Sequence, residues 1–215
     1  MKLVFATGNS GKLREASEIL GEGFELVTPA QVGVPEDIPE TGKTLRANSI
    51  QKAQYLYDKS GSNCFADDTG LEVDALGGAP GVYTARYAGE DKDFVKNMDK
   101  VLHELEVVAS EARMASSLGL KVKPVSRRAR FKSVITLIIN GEKHIFEGSL
   151  EGKIAYAKSG NGGFGYDPIF MPDEYPGQTL ADITEEQKNE ISHRGKALRA
   201  MGKWLADNFA EGRQA

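Results

Sequence analysis

The chain opens with a short apolar run, a helical pattern and a second apolar run. Residues 2–6 are apolar after the first lysine, as in a buried strand, and residues 12–20 place leucine and alanine side chains on one helical face. Gly21 follows that face, where a glycine commonly ends a helix. Residues 24–27 predict another short strand, so the N-terminal unit is expected to contain a strand, a helix and a strand.

The middle of the chain alternates helical patterns with turns and a short strand. In order, the patterns predict a Pro- and acid-rich loop over 29–42, a helix over 43–59, a buried strand over 64–66, turns over 77–89 and a long helix from about residue 91 to 112. After that helix, the helical period is lost and basic residues accumulate.

The C-terminal part of the chain contains a predicted β-hairpin and two helical patterns. Residues 131–139 form an apolar strand, and Asn140-Gly141 is the favoured two-residue hairpin turn, so 143–150 should return antiparallel. Thr184-Glu-Glu-Gln187 is a capping box that opens a short helix, and apolar side chains over 197–205 mark the last helix. Parallel-type units followed by an antiparallel hairpin predict an α/β fold, with a mixed sheet flanked by helices.

Composition limits the class of protein. The 215 residues suit one domain over 1–215, and a hydrophobic content of 40% is ordinary for a soluble protein. A net charge of −4 argues against nucleic acid as a partner, since that role usually needs a basic surface. Cys64 is the only cysteine, the first apolar run is too short for a signal peptide, and no stretch approaches the ~20 apolar residues of a membrane span. We expect a cytoplasmic protein with no membrane partner.

A polar, glycine-containing loop lies between the first strand and the first helix. It consists of Thr7, Gly8, Asn9, Ser10, Gly11 and Lys12. Unpaired N–H groups at the helix start, the helix dipole, the Lys12 ammonium and the Asn9 amide together make a site for phosphate. The loop is not a standard P-loop, which has four residues between its glycines and a Ser or Thr after the lysine. A polar turn that only caps the strand and the helix is the alternative.

Carboxylates follow the buried strand and precede the second helix. Asp67 and Asp68 come directly after residues 64–66, where α/β proteins often place sites, and adjacent strand residues point to opposite faces. One carboxylate could reach a metal ion or a water while the other supports it, or one of them could start an Asx-turn. Glu40 could ligate a metal or lie in a solvated loop. Lys52 could reach a phosphate or be an exposed lysine.

Two C-terminal motifs carry groups suited to a flat, polar ligand. The first motif contains Phe164, Gly165, Tyr166 and Asp167. Its glycines let the backbone approach a flat ring, and its aromatic side chains can stack on that ring. The second is Ser192-His193-Arg194, with Lys188 before it, in which His and Arg are donors for carbonyl oxygens of a base. The alternative for the first motif is a tight loop whose aromatic side chains lie in the core. The alternative for the second motif is a Ser–His nucleophile, which is disfavoured because Ser192 and His193 are adjacent in the sequence.

Together, these motifs resemble those of the inosine triphosphate pyrophosphatase family, enzymes that hydrolyse non-standard purine nucleoside triphosphates. Each segment alone is weakly specific, whereas the ordered set is very specific and spans nearly the whole chain. One departure is the segment from about 106 to 128, which is longer than the resemblance leads us to expect. It either extends the long helix or forms a basic loop. The matching segments are 7–12, 40–42, 47–52, 67–73, 81–83, 163–170 and 188 with 192–194.

The resemblance implies an elongated α/β fold with a long mixed central sheet and two lobes around an active-site cleft. It also implies a homodimer, dependence on Mg²⁺, and conversion of ITP, dITP and XTP to the monophosphate and pyrophosphate. By position, Asp68 would be the general base and Thr69 would contact the substrate. The triphosphate would be held by Thr7 to Lys12 and by Lys52. Mg²⁺ would be held by Glu40 and Asp68, with Asp67 as a further candidate. The base would be held by Phe164 to Asp167, Lys188, His193 and Arg194.

The sequence leaves two other functions open. A pyrophosphatase for modified pyrimidine triphosphates would also need a metal and a phosphate loop, although the two C-terminal motifs favour a purine. The other function is that of a nucleotide sensor without catalysis. The adjacent carboxylates of Asp67 and Asp68 argue against this function, because binding of a polyanion gains little from carboxylates without a metal.

Overall fold

A computed structural model describes residues 1–35 and 38–209 of the chain. Glu36 and Asp37, in the predicted acidic loop, lie outside the described residues. The strands form one six-stranded sheet in the order β2-β1-β3-β4-β5-β6. Their bounds are β1 Lys2–Phe5, β2 Glu25–Val27, β3 Cys64–Val73, β4 Arg128–Ile139, β5 Glu142–Ile154 and β6 Phe170–Pro172.

The sheet is mixed, as the sequence predicts. Strand β1 pairs in parallel with β2 and with β3, whereas β5 and β6 are antiparallel. Strands β4 and β5 are joined by Asn140 and Gly141 alone, both at positive φ (50° and 83°), which is the geometry of a tight hairpin turn. The returning strand is longer than predicted and continues to Ile154.

Five α-helices are described in residues 1–35 and 38–209, and their bounds agree with the patterns to within about five residues. Thr184 and Gln187 form the predicted capping box reciprocally: Thr184 N–H donates to Gln187 Oε1 (3.0 Å) and Gln187 N–H to Thr184 Oγ1 (3.3 Å). No helix in residues 1–35 and 38–209 has both the length and the apolar character needed to cross a bilayer. The α-helices are α1 Ser10–Leu20, α2 Leu45–Ser60, α3 Phe94–Ser117, α4 Glu185–Ile191 and α5 His193–Phe209.

Two segments differ from the sequence-based expectations. Asp67 and Asp68 lie inside the ten-residue strand β3, so the strand does not end at residue 66 and neither residue starts an Asx-turn. The long segment over about 106–128 combines the two predicted alternatives, an extended helix and a loop. Its first part continues α3 to Ser117, and residues 118–127 have no helix or strand.

The chain folds into two compact units. Unit 1 comprises the described residues of Met1–Thr69, Ser133–Ser149 and Ser192–Ala215, and unit 2 comprises Gly70–Lys132 and Leu150–Ile191. Strands β3, β4 and β5 each contribute residues to both units. A single domain over 1–215 stays a prediction.

The core of unit 1 lies on both faces of its strands. In β1, Leu3 and Phe5 pack with α1 and α5 residues, whereas the alternate residue Val4 packs with residues of α2. The Phe5 ring stacks on Phe65 of β3, with ring centroids 4.2 Å apart. Parallel strands covered on both faces in this way are apolar at successive positions, which explains the continuous run in the sequence.

Unit 2 has its own hydrophobic core. Helix α3 contributes Met98, Val101 and Leu105, spaced three and four residues apart on one face. They pack with apolar side chains of the strands, among which Phe131 of β4 contacts Phe170 of β6 (ring centroids 4.7 Å apart).

Gly148 marks a close approach of β5 to the first turn of α5. A Cβ at residue 148 would lie 2.1 Å from the His193 carbonyl oxygen and 2.8 Å from the Ala197 amide nitrogen. Side chains never approach backbone atoms so closely. Strand and helix therefore meet here because residue 148 has no side chain, and this contact positions the helix start that carries His193 and Arg194.

We predict that Gly148→Ala lowers the free energy of unfolding by about 1–3 kcal/mol, because the added methyl group must push β5 and α5 apart. Urea denaturation measures this change. Gly23→Ala is the matched control, since a Cβ at residue 23 would meet no atom within 4 Å, and it should change stability by less than about 0.5 kcal/mol. Equal effects of the two substitutions would contradict the close approach.

Candidate active site

The predicted phosphate loop of unit 1 forms the N-terminus of α1. Asn9 is the N-cap, and its side-chain oxygen accepts hydrogen bonds from the N–H groups of Gly11 (2.9 Å) and Lys12 (3.1 Å). Asn9 N–H in turn donates to Thr7 Oγ1 (3.1 Å). The expectation that these two N–H groups of the helix start are unpaired is therefore wrong, because the Asn9 side chain satisfies them. The dipole of α1 and the Lys12 ammonium still favour an anion at this helix end.

Asp67 of β3 lies between two cations. Its Oδ1 accepts a hydrogen bond from Lys12 Nζ (3.0 Å), and its Oδ2 accepts one from Arg194 Nε (3.0 Å) at the start of α5. The side chain is only 2% exposed. Burial alone would raise the pKa of Asp67, but Lys12 and Arg194 outweigh burial and hold this pKa well below the usual value.

Glu15 completes this cluster. Its Oε2 accepts a hydrogen bond from Arg194 Nη1 (2.7 Å), and its side chain is 21% exposed. Burial by itself would lower the pKa of Arg194, whereas Asp67 and Glu15 raise it. The cluster thus contains two positive and two negative side chains, and we call Lys12, Glu15, Asp67 and Arg194 the clamp.

Asp68 has a different partner. Lys52 of α2 donates from Nζ to Asp68 Oδ1 (3.0 Å) and to Glu40 Oε1 (2.6 Å), so this lysine is shared by two carboxylates. Burial raises the pKa of Asp68, against the opposing effect of Lys52. Burial would lower the pKa of Lys52, but Asp68, Asp67 and Glu40 raise it. Lys52 is therefore a buried ion-pair partner of these carboxylates and not the exposed lysine of the alternative interpretation.

Side chains of α2 hold the loop that carries Glu40. Asn48 Oδ1 accepts a hydrogen bond from Gly42 N–H (2.7 Å), and Gln51 Oε1 accepts one from Thr41 N–H (2.9 Å). A Cβ at residue 42 would lie 2.7 Å from Asn48 Oδ1, so glycine is needed there. This packing places the Glu40 carboxylate beside Lys52.

The two adjacent carboxylates therefore differ in environment. Because side chains alternate along a strand, Asp67 contacts α1 and α5 residues, whereas Asp68 contacts an α2 residue. The two side chains thus have separate ion-pair partners, as alternation along a strand predicts, and their not acting as one dyad stays a prediction. Neighbouring carboxylates whose pKa values move in opposite directions suit different chemical roles. The next residue, Thr69, lies 3.5 Å from Ser133 through their hydroxyl oxygens.

Three of the residues predicted to bind a base meet within unit 2. Lys188 Nζ lies 2.6 Å from Asp167 Oδ2 and 4.5 Å from the centroid of the Phe164 ring. Asp167 Oδ2 also accepts a hydrogen bond from Phe164 N–H (2.8 Å). Residue Phe164 is 64% exposed, so its ring is accessible for stacking.

Tyr166 and Gly165 have structural environments of their own. Tyr166 is buried in the core of unit 2, its hydroxyl donates to the Thr84 carbonyl oxygen (2.8 Å), and burial raises its pKa. Tyr166 is therefore a core aromatic side chain, as the alternative interpretation of this motif predicts. Phe164 is the aromatic side chain of the motif whose ring can stack on a ligand. Gly165 adopts a φ of +63° in the turn between them, a conformation that favours glycine.

Ser192 and His193 begin the last helix of unit 1. Ser192 Oγ accepts a hydrogen bond from Gly195 N–H (2.9 Å), as a helix-capping side chain does. This role disfavours the Ser–His nucleophile alternative. His193 is half-buried and is the first residue of α5.

In the described part of the chain, no three His, Cys, Asp or Glu side chains gather into a cluster that could hold a metal ion by themselves. Glu40 and Asp68 are nevertheless close to one another, since both contact Lys52 Nζ. Mg²⁺ commonly takes one or two carboxylates and completes its coordination with substrate phosphate oxygens and water. These two residues fit that donor set.

The model of the Ham1 family matches residues 3–204. The chain belongs to the Ham1 family. A dITP/XTP pyrophosphatase from Flavobacterium psychrophilum is 47% identical over 201 residues, which cover 94% of this chain and 97% of that protein. The dITP/XTP pyrophosphatase of Bacillus subtilis is 42% identical over 204 residues, with 94% and 96% covered.

Solved structures of Ham1 proteins share this fold. A HAM1 protein from Coxiella burnetii has a TM-score of 0.84 and 36% identity, covering 96% of this chain and 99% of that one. A nucleoside-triphosphatase, or dITP/XTP pyrophosphatase, from Mycobacterium abscessus has a TM-score of 0.74 and 38% identity, covering 94% and 98%. These similarities confirm the resemblance inferred from the motifs and the mixed α/β class.

Local sequence patterns do not single out Glu15 in this Ham1 family member. Its one signal is the spacing from Lys12, three residues along the same helix, which places both side chains on one face of α1. The contact with Arg194 spans 179 positions in the sequence, so a local pattern could not reveal it.

Proposed function

We propose that this Ham1 protein hydrolyses the non-standard purine nucleoside triphosphates dITP, XTP and ITP to the monophosphate and pyrophosphate. The observation that carries the mechanism is the pair of adjacent aspartates on β3, with Asp67 held between Lys12 and Arg194 and Asp68 beside Lys52, which also contacts Glu40. A carboxylate within hydrogen-bond reach of a water molecule can accept its proton as a general base. The names of the relatives support the choice of substrate.

In the proposed reaction, Asp68 accepts a proton from a water molecule whose oxygen attacks the α-phosphorus. The new P–O bond forms as the bond between the α-phosphorus and the α,β-bridging oxygen breaks. Pyrophosphate leaves with that oxygen and its electron pair. General-base catalysis of this kind typically supplies a rate factor of about 10²–10⁴.

Cationic groups of unit 1 would hold the triphosphate. Lys12 at the N-terminus of α1 and Lys52 on α2 are both within ion-pair distance of the β3 carboxylates. Together with the dipole of α1, they would offset the negative charge of the phosphates and of the leaving pyrophosphate. Residues Thr7 to Gly11 supply the backbone and side-chain groups of this loop.

Glu40 and Asp68 would hold Mg²⁺, and the ion would stabilise negative charge on the phosphate oxygens. Lys52, which contacts both carboxylates, keeps them close together before a metal binds. Two like charges that share one buried cation repel each other less than two unpaired carboxylates would.

Recognition of the base would rest on hydrogen-bond polarity. Inosine and xanthine have an oxygen at position 6, whereas adenine has an amino group. A buried donor is satisfied by the oxygen but faces another donor in adenine, and each unpaired polar group costs about 1–3 kcal/mol. Arg194, His193 and Lys188 are the candidate donors, and the exposed Phe164 ring is the candidate for stacking.

The resemblance also supports a homodimer, and the composition supports a cytoplasmic protein that acts on free nucleotides and not on nucleic acid. The net charge of −4 agrees with a small-molecule substrate, because local cations and one metal ion suffice for a triphosphate, whereas a nucleic acid needs a wide basic surface.

We predict that the purified protein with Mg²⁺ releases pyrophosphate from ITP, dITP and XTP, and that Asp68→Asn lowers kcat for ITP by about 10²–10⁴, since the amide cannot accept the proton. A panel of purine and pyrimidine triphosphates assayed for pyrophosphate and for single phosphate measures both. Release of single phosphate, or turnover of modified pyrimidine triphosphates alone, would refute the proposed function.

Asp207→Asn on the exposed side of α5 is the control, because it removes the same charge away from the site. It should leave kcat within about twofold of the wild-type value. An Asp68→Asn enzyme with a near-normal rate and unchanged folding would remove Asp68 from the mechanism.

Arg194→Ala is expected to raise KM for ITP much more than KM for ATP, because only the 6-oxygen of ITP accepts a hydrogen bond from a donor. Steady-state kinetics with the two nucleotides measures the ratio. Equal losses for ITP and ATP would show that Arg194 does not distinguish the bases.

A further inference from the structure

We propose that Asp67 is a positioning residue for Lys12 and Arg194 and not a magnesium ligand, and that Glu15 is a second positioning residue for Arg194. The proposal rests on the proposed function, because it concerns how the same site holds a nucleoside triphosphate. It replaces the sequence-based assignment of Asp67 as a candidate metal ligand.

The contacts of Asp67 leave it poorly suited to Mg²⁺. Each of its carboxylate oxygens already accepts a hydrogen bond from a cation, Lys12 on one side and Arg194 on the other, both at 3.0 Å. A divalent ion bound there would add two positive charges beside two existing ones in a buried environment, where charge interactions are strong. The neighbouring pair of carboxylates has the opposite balance, since Glu40 and Asp68 share the single cation Lys52.

Asp67 is well placed to fix the position of its partners. It lies in the middle of β3, and its side chain is 2% exposed. Lys12 has a flexible side chain that is 27% exposed, and it would otherwise move freely at the helix start. A hydrogen bond to a rigid, buried carboxylate reduces the rotamer freedom that the lysine must lose when a phosphate binds.

Glu15 fixes the orientation of Arg194. The guanidinium donates from Nε to Asp67 and from Nη1 to Glu15, so it is held at two different edges of its plane. Two such hydrogen bonds define the direction in which the remaining N–H groups point. Glu15 also balances the second positive charge of the clamp, which keeps Lys12 and Arg194 close together despite their repulsion.

Nucleotide binding without metal separates a positioning carboxylate from a metal ligand. In EDTA, Asp68→Asn removes negative charge near the triphosphate while Lys52 keeps its ion pair with Glu40, so this variant should bind ITP as tightly as the wild type or more tightly. Asp67→Asn should weaken ITP binding in EDTA by about tenfold or more, because Lys12 and Arg194 are no longer held by charged hydrogen bonds. Isothermal titration calorimetry measures both affinities.

The dependence of turnover on free Mg²⁺ gives the second readout. Asp67→Asn should leave the Mg²⁺ concentration at half-maximal rate within about twofold of the wild-type value while KM for ITP rises, whereas Glu40→Gln should raise that Mg²⁺ concentration. If Asp67→Asn binds ITP normally in EDTA and needs more Mg²⁺, Asp67 is a metal ligand and the proposal is wrong.

Glu15→Gln tests the second positioning residue, with Glu18→Gln on the exposed face of α1 as the matched control. Glu15→Gln should raise KM for ITP and lower the preference for ITP over ATP, because it acts through Arg194, and Glu18→Gln should change neither. Thermal unfolding of every variant shows whether it folds. Equal behaviour of the two α1 variants would overturn the role of Glu15.

The wild-type enzyme in the same buffers reports on the proposed function separately. Wild-type protein that neither binds ITP nor releases pyrophosphate refutes that function. Wild-type protein that does both, with Asp67→Asn behaving as Asp68→Asn does, refutes only the positioning role.

Discussion

The alternation of side chains along β3 is the constraint on which this site depends. Two aspartates that are adjacent in the sequence leave the strand on opposite faces and meet different helices. Lys12 and Arg194 keep Asp67 ionised, while burial raises the pKa of Asp68 against the pull of Lys52. One short strand segment thus places two carboxylates in different electrostatic environments.

The surrounding elements serve to bring cations to these carboxylates. Helix α1 contributes Lys12 and Glu15 from one face, α2 contributes Lys52, and α5 contributes Arg194 from its first turn. The approach of α5 to β5 requires a residue without a side chain at position 148. Buried ion pairs carry a large desolvation penalty, and strands that are apolar on both faces provide the stability that offsets it.

Local patterns in the sequence predicted much of the fold. The Asn140-Gly141 turn and the capping box of Thr184 and Gln187 are confirmed, because both depend on residues only a few positions apart. The motifs also identified the family and most of the side chains that meet in each unit. The fold class follows from these elements and their order.

What the sequence could not reveal depends on contacts between distant residues. A strand that continues through Asp67 and Asp68 contradicts local preference, since charged residues are rare in buried strands, and its stability comes from lysine and arginine side chains of other elements. Glu15 was missed for the same reason. The occupied N–H groups of the α1 terminus were missed because the sequence does not show whether Asn9 donates or accepts.

The division between the two aspartates can be measured directly by a carbon-13 NMR titration of the metal-free protein with labelled aspartate carboxyl groups, assigned with Asp67→Asn and Asp68→Asn. The structure predicts that Asp68 titrates above the ordinary aspartate pKa of about 3.9, whereas Asp67 stays ionised to well below it. Equal pKa values, or a higher value for Asp67 than for Asp68, would contradict the assignment of Asp68 as the base.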